Sequence, residues 1–297
     1  MARIAITGSS GMVGTALRAR LAGQGHDVVR VLRGNPADPS AIWDPEAAWF
    51  REGALEGVDA IVHLAGASIG EGRWTDSRRA ELRSSRIEAT RLLVAHLSTL
   101  TRKPSVLVSA SAIGYYGSRG DEQLTEDSSA GSGFLADLTR DWEQEVLAAR
   151  ELGVRTTLLR FGVLLASDAG ALPRMLLPFK FGAGGRLGNG RQWMSWATLD
   201  DALRATEYAL TEGPDGPVNV VAPGAVTNRD FTKALGRVLR RPTLFPVPRL
   251  ALRLAVGASV DELLFTSQRV VPQRLATSGF TFEHGEVEPA LRAVLGR

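Results

Sequence analysis

The sequence predicts a doubly wound α/β fold, a parallel sheet covered by helices on both faces, with a smaller, mainly helical second unit. Three observations predict it. Short, continuously apolar strands alternate with amphipathic helices through residue 161. A glycine-rich turn joins the first strand to the first helix. The alternation breaks after Val163 and gives way to glycine-rich, basic and then helical text. Continuous apolar strands separated by helices are the pattern of a parallel sheet buried on both sides.

Ile4-Ala5-Ile6 reads as the first strand. Gly11 to Leu21 reads as a helix, with Val13, Leu17 and Leu21 at helical spacing. Val28 to Leu32 and Ala60 to Leu64 are the next strands. Trp74 to Leu100 reads as one long helix stopped by Pro104, before a strand opening at Val106-Leu107-Val108. Phe134 to Leu152 reads as helix and Arg155 to Phe161 as strand. A helix from Asp201 to Leu210 and a strand from Pro217 to Val221 return to the sheet pattern. From Thr227 onward the text is mainly helical. The division implied is a dinucleotide-binding domain of 1–165 with 193–225, and a small substrate domain of 166–192 with 226–297.

Composition is that of a globular chain, 44% hydrophobic and 23% charged. No apolar run approaches the ~20 residues of a membrane span, and the N-terminus lacks a secretory pattern, so a cytoplasmic location is the default. Without cysteine there is no disulfide, thiolate nucleophile or Cys-based metal site. The four histidines do not pair at metal-ligand spacing, so no metal is expected. Net charge is +3, concentrated from Arg229 onward, where 11 Lys or Arg face 6 Asp or Glu. No reading helix or aromatic-basic sheet motif accompanies that excess, which argues for a solvated surface and against nucleic acid.

Thr7-Gly8-Ser9-Ser10-Gly11-Met12-Val13-Gly14 follows the first strand and opens the first helix. Gly8 lets the chain turn sharply, Gly11 lets backbone approach a pyrophosphate, and Gly14 lets the helix pack closely. The helix N-terminus then faces the phosphates with free N–H groups. This is a Rossmann-type dinucleotide site. An NAD site places an acid at the end of the second strand, an NADP site an arginine. Asp27 stands at the wrong end of that strand, whereas the proper end reads Val31-Leu32-Arg33-Gly34. Arg33 can pair with a 2′-phosphate, so NADP(H) is the expected cofactor. Arg30 is a weaker candidate, pointing to the opposite face.

These residues resemble the extended branch of the short-chain dehydrogenase/reductase superfamily, that of the nucleotide-sugar epimerases. Further text resembles an atypical epimerase-family subgroup with its own small C-terminal domain. The marks are His63-Leu64-Ala65-Gly66-Ala67, Arg83-Ser84-Ser85-Arg86, Ser109 through Gly117, Phe134-Leu135-Ala136-Asp137, Gln192 through Trp196, Asn219 through Gly224, and Pro246-Val247-Pro248. The resemblance implies that Leu64, Ala65 and Gly66 border the adenosine side of the cofactor. It also implies that Arg86 and Ser109 lie beside the cofactor, and it allows a homodimer. Active members of the superfamily use a tyrosine with a lysine four residues later. Counted from Ser111, those places hold Phe134 and Leu138, neither of which transfers a proton.

Replacement groups are at hand. Ser111, Tyr115 and Tyr116 come from the strand end expected beside the nicotinamide, with Tyr116 assisted by Ser111 as the preferred proton source. Asp137, Arg140 and Glu143 recur at spacings of three along one helix. Arg174, Lys180, Arg186 and Arg191 are expected to receive an anionic small-molecule substrate, such as a nucleotide sugar. Two function classes stay open. One is an NADP(H)-dependent oxidoreductase or epimerase-like enzyme with a rearranged acid/base, the preferred reading. The other is a catalytically silent NADP(H)-binding sensor or partner-binding module.

Overall fold

The computed structural model describes residues 1–40, 42–257 and 259–297. Six parallel strands form the central sheet: β1 (Arg3–Thr7), β2 (Asp27–Val31), β3 (Ala60–His63), β4 (Val106–Ala112), β5 (Arg155–Phe161) and β6 (Gly216–Val220). Their order across the sheet is β6-β5-β4-β3-β1-β2. The chain leaves β1 for β2 on one side and returns to β3 on the other, so the order reverses between β1 and β3. Open α/β sheets bind their ligands outside the carboxyl ends of the strands at such a switch point. Thr7 sits there, opposite His63 of β3.

The two-residue alternation of the strands divides their side chains between two cores. Ala5, Ile61, Leu107 and Leu158 face α2 (Asp76–Ser84), α3 (Ile87–Thr99) and α4 (Phe134–Leu147), meeting Leu82, Leu93 and Trp142. Ile4, Ile6, Val62 and Val108 face α1 (Met12–Gly23) and α6 (Leu199–Thr211). Each buried Val, Leu or Ile among these contributes about 1.5–3 kcal/mol, which is what keeps the strand ends in register. A third core joins Leu172 and Leu176 of α5 (Ala171–Lys180), Phe231 and Leu235 of α7 (Asn228–Leu239), and Leu291 of α11 (Val287–Leu295) to Trp196. Between them run α8 (Arg249–Val256), α9 (Ser259–Leu264) and α10 (Gln273–Thr277).

The long helix expected over 74–100 is two helices. Ser85 and Arg86 interrupt it, and the reason is tertiary. The Ala67 N–H donates to Ser85 Oγ at 3.1 Å, and the Arg86 guanidinium donates to the Ala67 carbonyl at 3.0 Å. The loop after β3 is thus stitched into the break. Helical spacing continues through such a break because both halves face the same core. α5 lies within text expected to be irregular. No helix among the described residues is long and apolar enough to cross a membrane.

Candidate functional site

The glycine turn has the geometry its spacing implies. Gly8 has φ +62, and a Cβ there would meet the Leu64 carbonyl oxygen at 2.6 Å. A Cβ on Gly14 would meet the Gly8 carbonyl oxygen at 2.3 Å. Gly11 differs: a Cβ there would touch only the Gly8 oxygen, at 3.4 Å, so no other described residue fills that space. Gly11 is also the N-cap of α1; no side chain caps the helix and no acid stands in its first turn. By contrast, Thr75, Thr198 and Thr227 cap α2, α6 and α7. The free N–H groups of Met12, Val13 and Gly14 fit a pyrophosphate. Met12 packs its thioether near Gly170, Ser9 is buried, and Ser10 is exposed.

Beneath the turn, Thr7 and His63 brace the two strand ends. Thr7 Oγ1 lies 2.8 Å from His63 Nδ1 and accepts from the Leu64 and Ala65 N–H groups at 3.1 and 3.2 Å. His63 Nε2 lies 2.9 Å from Thr90 Oγ1. Thr90 donates to the Arg86 carbonyl at 2.5 Å and accepts from Trp142 Nε1 at 3.0 Å. A hydroxyl has one proton and two lone pairs. Thr90 has spent its proton on Arg86, so Nε2–H must donate to Thr90. Thr7 has spent its lone pairs on two N–H groups, so it donates to Nδ1. His63 is therefore neutral with its proton on Nε2, and burial pushes its pKa down to about 4. The Leu64-Ala65-Gly66 loop is thereby fixed beside the glycine turn.

Arg86 lies under this loop, donating also to the Leu82 carbonyl at 3.2 Å, with its guanidinium 5.4 Å from the centre of the Trp142 ring. Burial, reinforced by the nearby Arg78, pushes it down to about 10. Arg33 is exposed and ion-paired with Glu46. Arg30, on the α1 face of the sheet, places its Nε 3.4 Å from Ser9 Oγ, against the glycine turn itself. Asp27 pairs with Arg3 at the far end of β2.

The residues expected beside the nicotinamide divide. Tyr116 is fully buried. Its hydroxyl donates to Asn219 Oδ1 at 2.7 Å and accepts from Arg160 at 2.9 Å, and burial pushes it up to about 12 against the pull of Arg160. Ser111, also buried, donates to Glu143 at 2.5 Å. Both side chains belong to a sealed network centred on the Glu143–Arg160 pair, with bonds of 2.8 and 2.7 Å. The expectation that Tyr116 and Ser111 face a ligand is corrected accordingly. Ser109 is likewise fully buried. Tyr115 remains partly exposed, its ring 3.6 Å from the Arg160 guanidinium carbon. Its hydroxyl has no hydrogen-bond partner among the described residues.

Asp137 and Arg140 pair on the surface of α4 at 3.0 Å, while Glu143 turns inward. Each three-residue step falls about 60° short of a full turn, so the third member leaves the shared face. Phe134 opens α4 and packs edge-on against Trp74, with ring centres 5.3 Å apart. Leu138, one turn on, is buried. Glu262 of α9 accepts from the Leu135 and Phe134 N–H groups at 2.9 and 3.4 Å, so a carboxylate from the C-terminal segment caps α4. Nothing local in the sequence announces that contact, 127 residues distant along the chain.

The four cations expected to receive substrate do not form one cluster. Arg174 bonds the Gly70 carbonyl, Lys180 lines a cavity with Arg240 and Arg241, Arg186 packs near Gly190 and Arg229, and Arg191 is exposed.

Residues 4–222 match the NAD dependent epimerase/dehydratase family, and residues 247–294 match a domain of unknown function, DUF1731. The chain is 43% identical over 290 residues to epimerase family protein ML0860 of Mycobacterium leprae, covering 97% of this chain and 94% of that one. Among solved structures it is similar to human epimerase family protein SDR39U1 with NADPH, at 32% identity and a TM-score of 0.90, covering 99% of both chains. It is similar, too, to a nucleoside-diphosphate sugar epimerase from Corynebacterium glutamicum, at 35% identity and a TM-score of 0.80, covering 99% of this chain and 58% of that one. With its glycine turn, switch point and Rossmann-like sheet, the chain belongs to the NAD dependent epimerase/dehydratase family.

Proposed function

We propose that the protein is an NADP(H)-dependent, reductase-like or epimerase-like enzyme acting on an anionic small molecule such as a nucleotide sugar, in a cytoplasmic setting. The observation that carries the cofactor choice is the end of β2, where Arg30 lies against the glycine turn, Arg33 follows two residues beyond the strand, and the only acid of the strand, Asp27, lies at the other end. The NADPH in the human relative supports it. The exposed Arg33–Glu46 pair contributes about 0–1 kcal/mol, so a 2′-phosphate displaces it readily. The uncapped turn of α1 would hold the pyrophosphate, and Leu64, Ala65 and Gly66 the adenosine side. In this reading 1–165 with 193–225 hold the cofactor, and 166–192 with 226–297 shape the substrate side.

NADPH is expected to bind more tightly than NADH. Arg33→Ala and Arg30→Ala together should remove most of that difference, a loss of about 1.5–3 kcal/mol per charged contact, or roughly 10-fold to 100-fold, while NADH affinity stays near wild type. Fluorescence titration checks it, and equal affinities in the unaltered protein would end the NADP assignment.

A bound nicotinamide supplies hydride. The chain must supply a proton to the substrate oxygen, and Phe134 and Leu138, standing where the superfamily has its dyad, cannot. With Tyr116 and Ser111 sealed, Tyr115 is the phenol left within reach of a ligand. Its hydroxyl suits reduction of a carbonyl, where oxygen gains a proton, better than oxidation of an alcohol. Tyr115→Phe is expected to cut NADPH oxidation against a responsive carbonyl compound at least tenfold at unchanged NADPH affinity. Full turnover by that variant would remove Tyr115 from the role. A second reading, a protein that binds NADP(H) without turnover, is favoured by the apolar pair Phe134 and Leu138 and by the Glu262 carboxylate at the head of α4. It predicts tight NADPH binding with no oxidation across a carbonyl panel.

A further inference from the structure

Away from the glycine turn, the C-terminal ends of α5, α7 and α11 converge on a cavity of about 520 Å³. Its apolar lining is Leu176, Phe179, Leu239 and Leu295. The rest of the lining is cationic: Lys180, Arg240, Arg241 and Arg297. An adjoining hollow of about 350 Å³ shares Arg240 and Arg241 and adds Lys233 and Arg237. Among the described residues no acidic side chain lines either space. Arg237 is paired with Glu288 at 2.7 Å; among the described residues Lys180, Lys233, Arg240 and Arg241 form no ion pair.

The plainest account is that cations complement helix C-termini. Its magnitude is too small. Each C-terminus presents about half a negative charge, so three offset about one and a half. Lys180, Lys233, Arg240 and Arg241 bring four, before Arg297 is counted. Arg240 adds a second observation. It caps α7 in the left-handed region, at φ 54 and ψ 46, where glycine is the relaxed choice and a side chain costs about 1–2 kcal/mol. Chain termination alone would be served better without the guanidinium. Exposed apolar side chains stand close by in sequence: Phe181 follows Lys180, and Leu244 and Phe245 follow Arg241 by three and four residues. Gly185 brings these segments together, since a Cβ there would lie 1.7 Å from the Phe245 carbonyl oxygen.

We propose that this cavity is a second ligand site, for an amphiphilic phosphate. The phosphate sits among Lys180, Arg240 and Arg241, and a short apolar chain lies on Leu176, Phe179, Leu239 and Leu295. A cavity of this size suits a drug-sized ligand. Two arginines and a lysine supply several charge-assisted donors to one tetrahedral dianion, and the adjacent leucines and phenylalanine leave its tail no polar partner.

Calorimetry on the full chain with saturating NADPH tests this, using octyl phosphate, inorganic phosphate, octanol, and vesicles of phosphatidylglycerol or phosphatidylcholine. Octyl phosphate is expected to bind at least tenfold more tightly than inorganic phosphate or octanol, at one site and in the presence of NADPH. Arg240→Gly should weaken it at least tenfold while the thermal midpoint holds or rises, because glycine adopts the left-handed conformation freely. Arg241→Gln should weaken it without shifting NADPH affinity. Octyl phosphate binding that is no tighter than phosphate, is lost when NADPH is added, or is unaffected by Arg240→Gly overturns the proposal. Binding confined to phosphatidylglycerol vesicles overturns it as well, in favour of a lipid surface.

Discussion

Glu143→Gln is expected to destabilise the fold by about 3–5 kcal/mol, read as a fall in the urea midpoint at unchanged slope. Glu143 and Arg160 are both almost completely buried. Burial opposes the charge on Arg160, yet hydrogen bonds and Coulomb attraction to Glu143 hold its pKa above the ordinary value. Removing one partner of such a pair leaves the other as an unpaired buried charge, which accounts for the size of the loss. The isosteric amide removes charge without opening a cavity. Replacing both, with Glu143→Leu and Arg160→Met, should recover a large part of the loss, because a buried pair as a unit is often close to neutral against apolar groups. If Glu143→Gln costs under 1 kcal/mol, the Glu143–Arg160 pair does not hold the network together. That outcome would also reopen Tyr116, whose hydroxyl is held away from ligands by Arg160 and Asn219.

This network marks the boundary of what the sequence discloses. Strand positions were legible because apolar runs such as Ala60-Ile61-Val62 have few other uses, and the glycine turn because its three glycines have separable steric reasons. Arg155 to Phe161 forms the strand that its pattern predicts. What could not be read is pairing across the sheet. Ser111 lies opposite Arg160 in the register of β4 with β5, and no local feature of either segment specifies that neighbour. A tyrosine four residues past a strand end reads as exposed; Arg160 from the next strand and Asn219 from the one after bury it. The same holds for the basic residues of 174–191. Their nearness in sequence suggested one anion site, but α5, unread as a helix, carries Arg174 and Lys180 to different neighbourhoods.

The choice of side chains at the switch point follows one logic. A dinucleotide site needs backbone N–H groups fixed in advance, so that binding does not have to order them. Gly8 and Gly14 remove steric bulk, and the Thr7–His63–Thr90–Trp142 chain supplies rigidity from below. Each donor in that chain has one acceptor, and both hydroxyls have used both lone pairs. Adding a proton to it leaves a donor with nowhere to point.

That saturation makes acid sensitivity the second large effect. His63 is neutral in the fold, with its pKa near 4, against about 6.5 in the unfolded chain. Between those two values the unfolded state holds a proton that the folded state does not. Stability contributed by neutral His63 is therefore complete above about pH 6.5, falls as pH drops through that window, and is lost by about pH 4. The shift corresponds to about 3 kcal/mol at 1.36 kcal/mol per unit. His96, which stacks on Phe50 at 3.9 Å and is also lowered by burial, acts in the same direction. His63→Gln separates the two. The glutamine carbonyl oxygen can accept from Thr7 and its amide can donate to Thr90, with no group to titrate. Urea unfolding at pH 7.5, 6 and 5 should show wild type losing stability faster than the variant, the gap closing by about 2–3 kcal/mol as pH approaches 4.5. Because Leu64 and Ala65 hang from Thr7, NADPH affinity should fall over the same interval in wild type more than in His63→Gln. Parallel pH courses for the two proteins would show that His63 does not hold the strand ends in the way its hydrogen bonds imply.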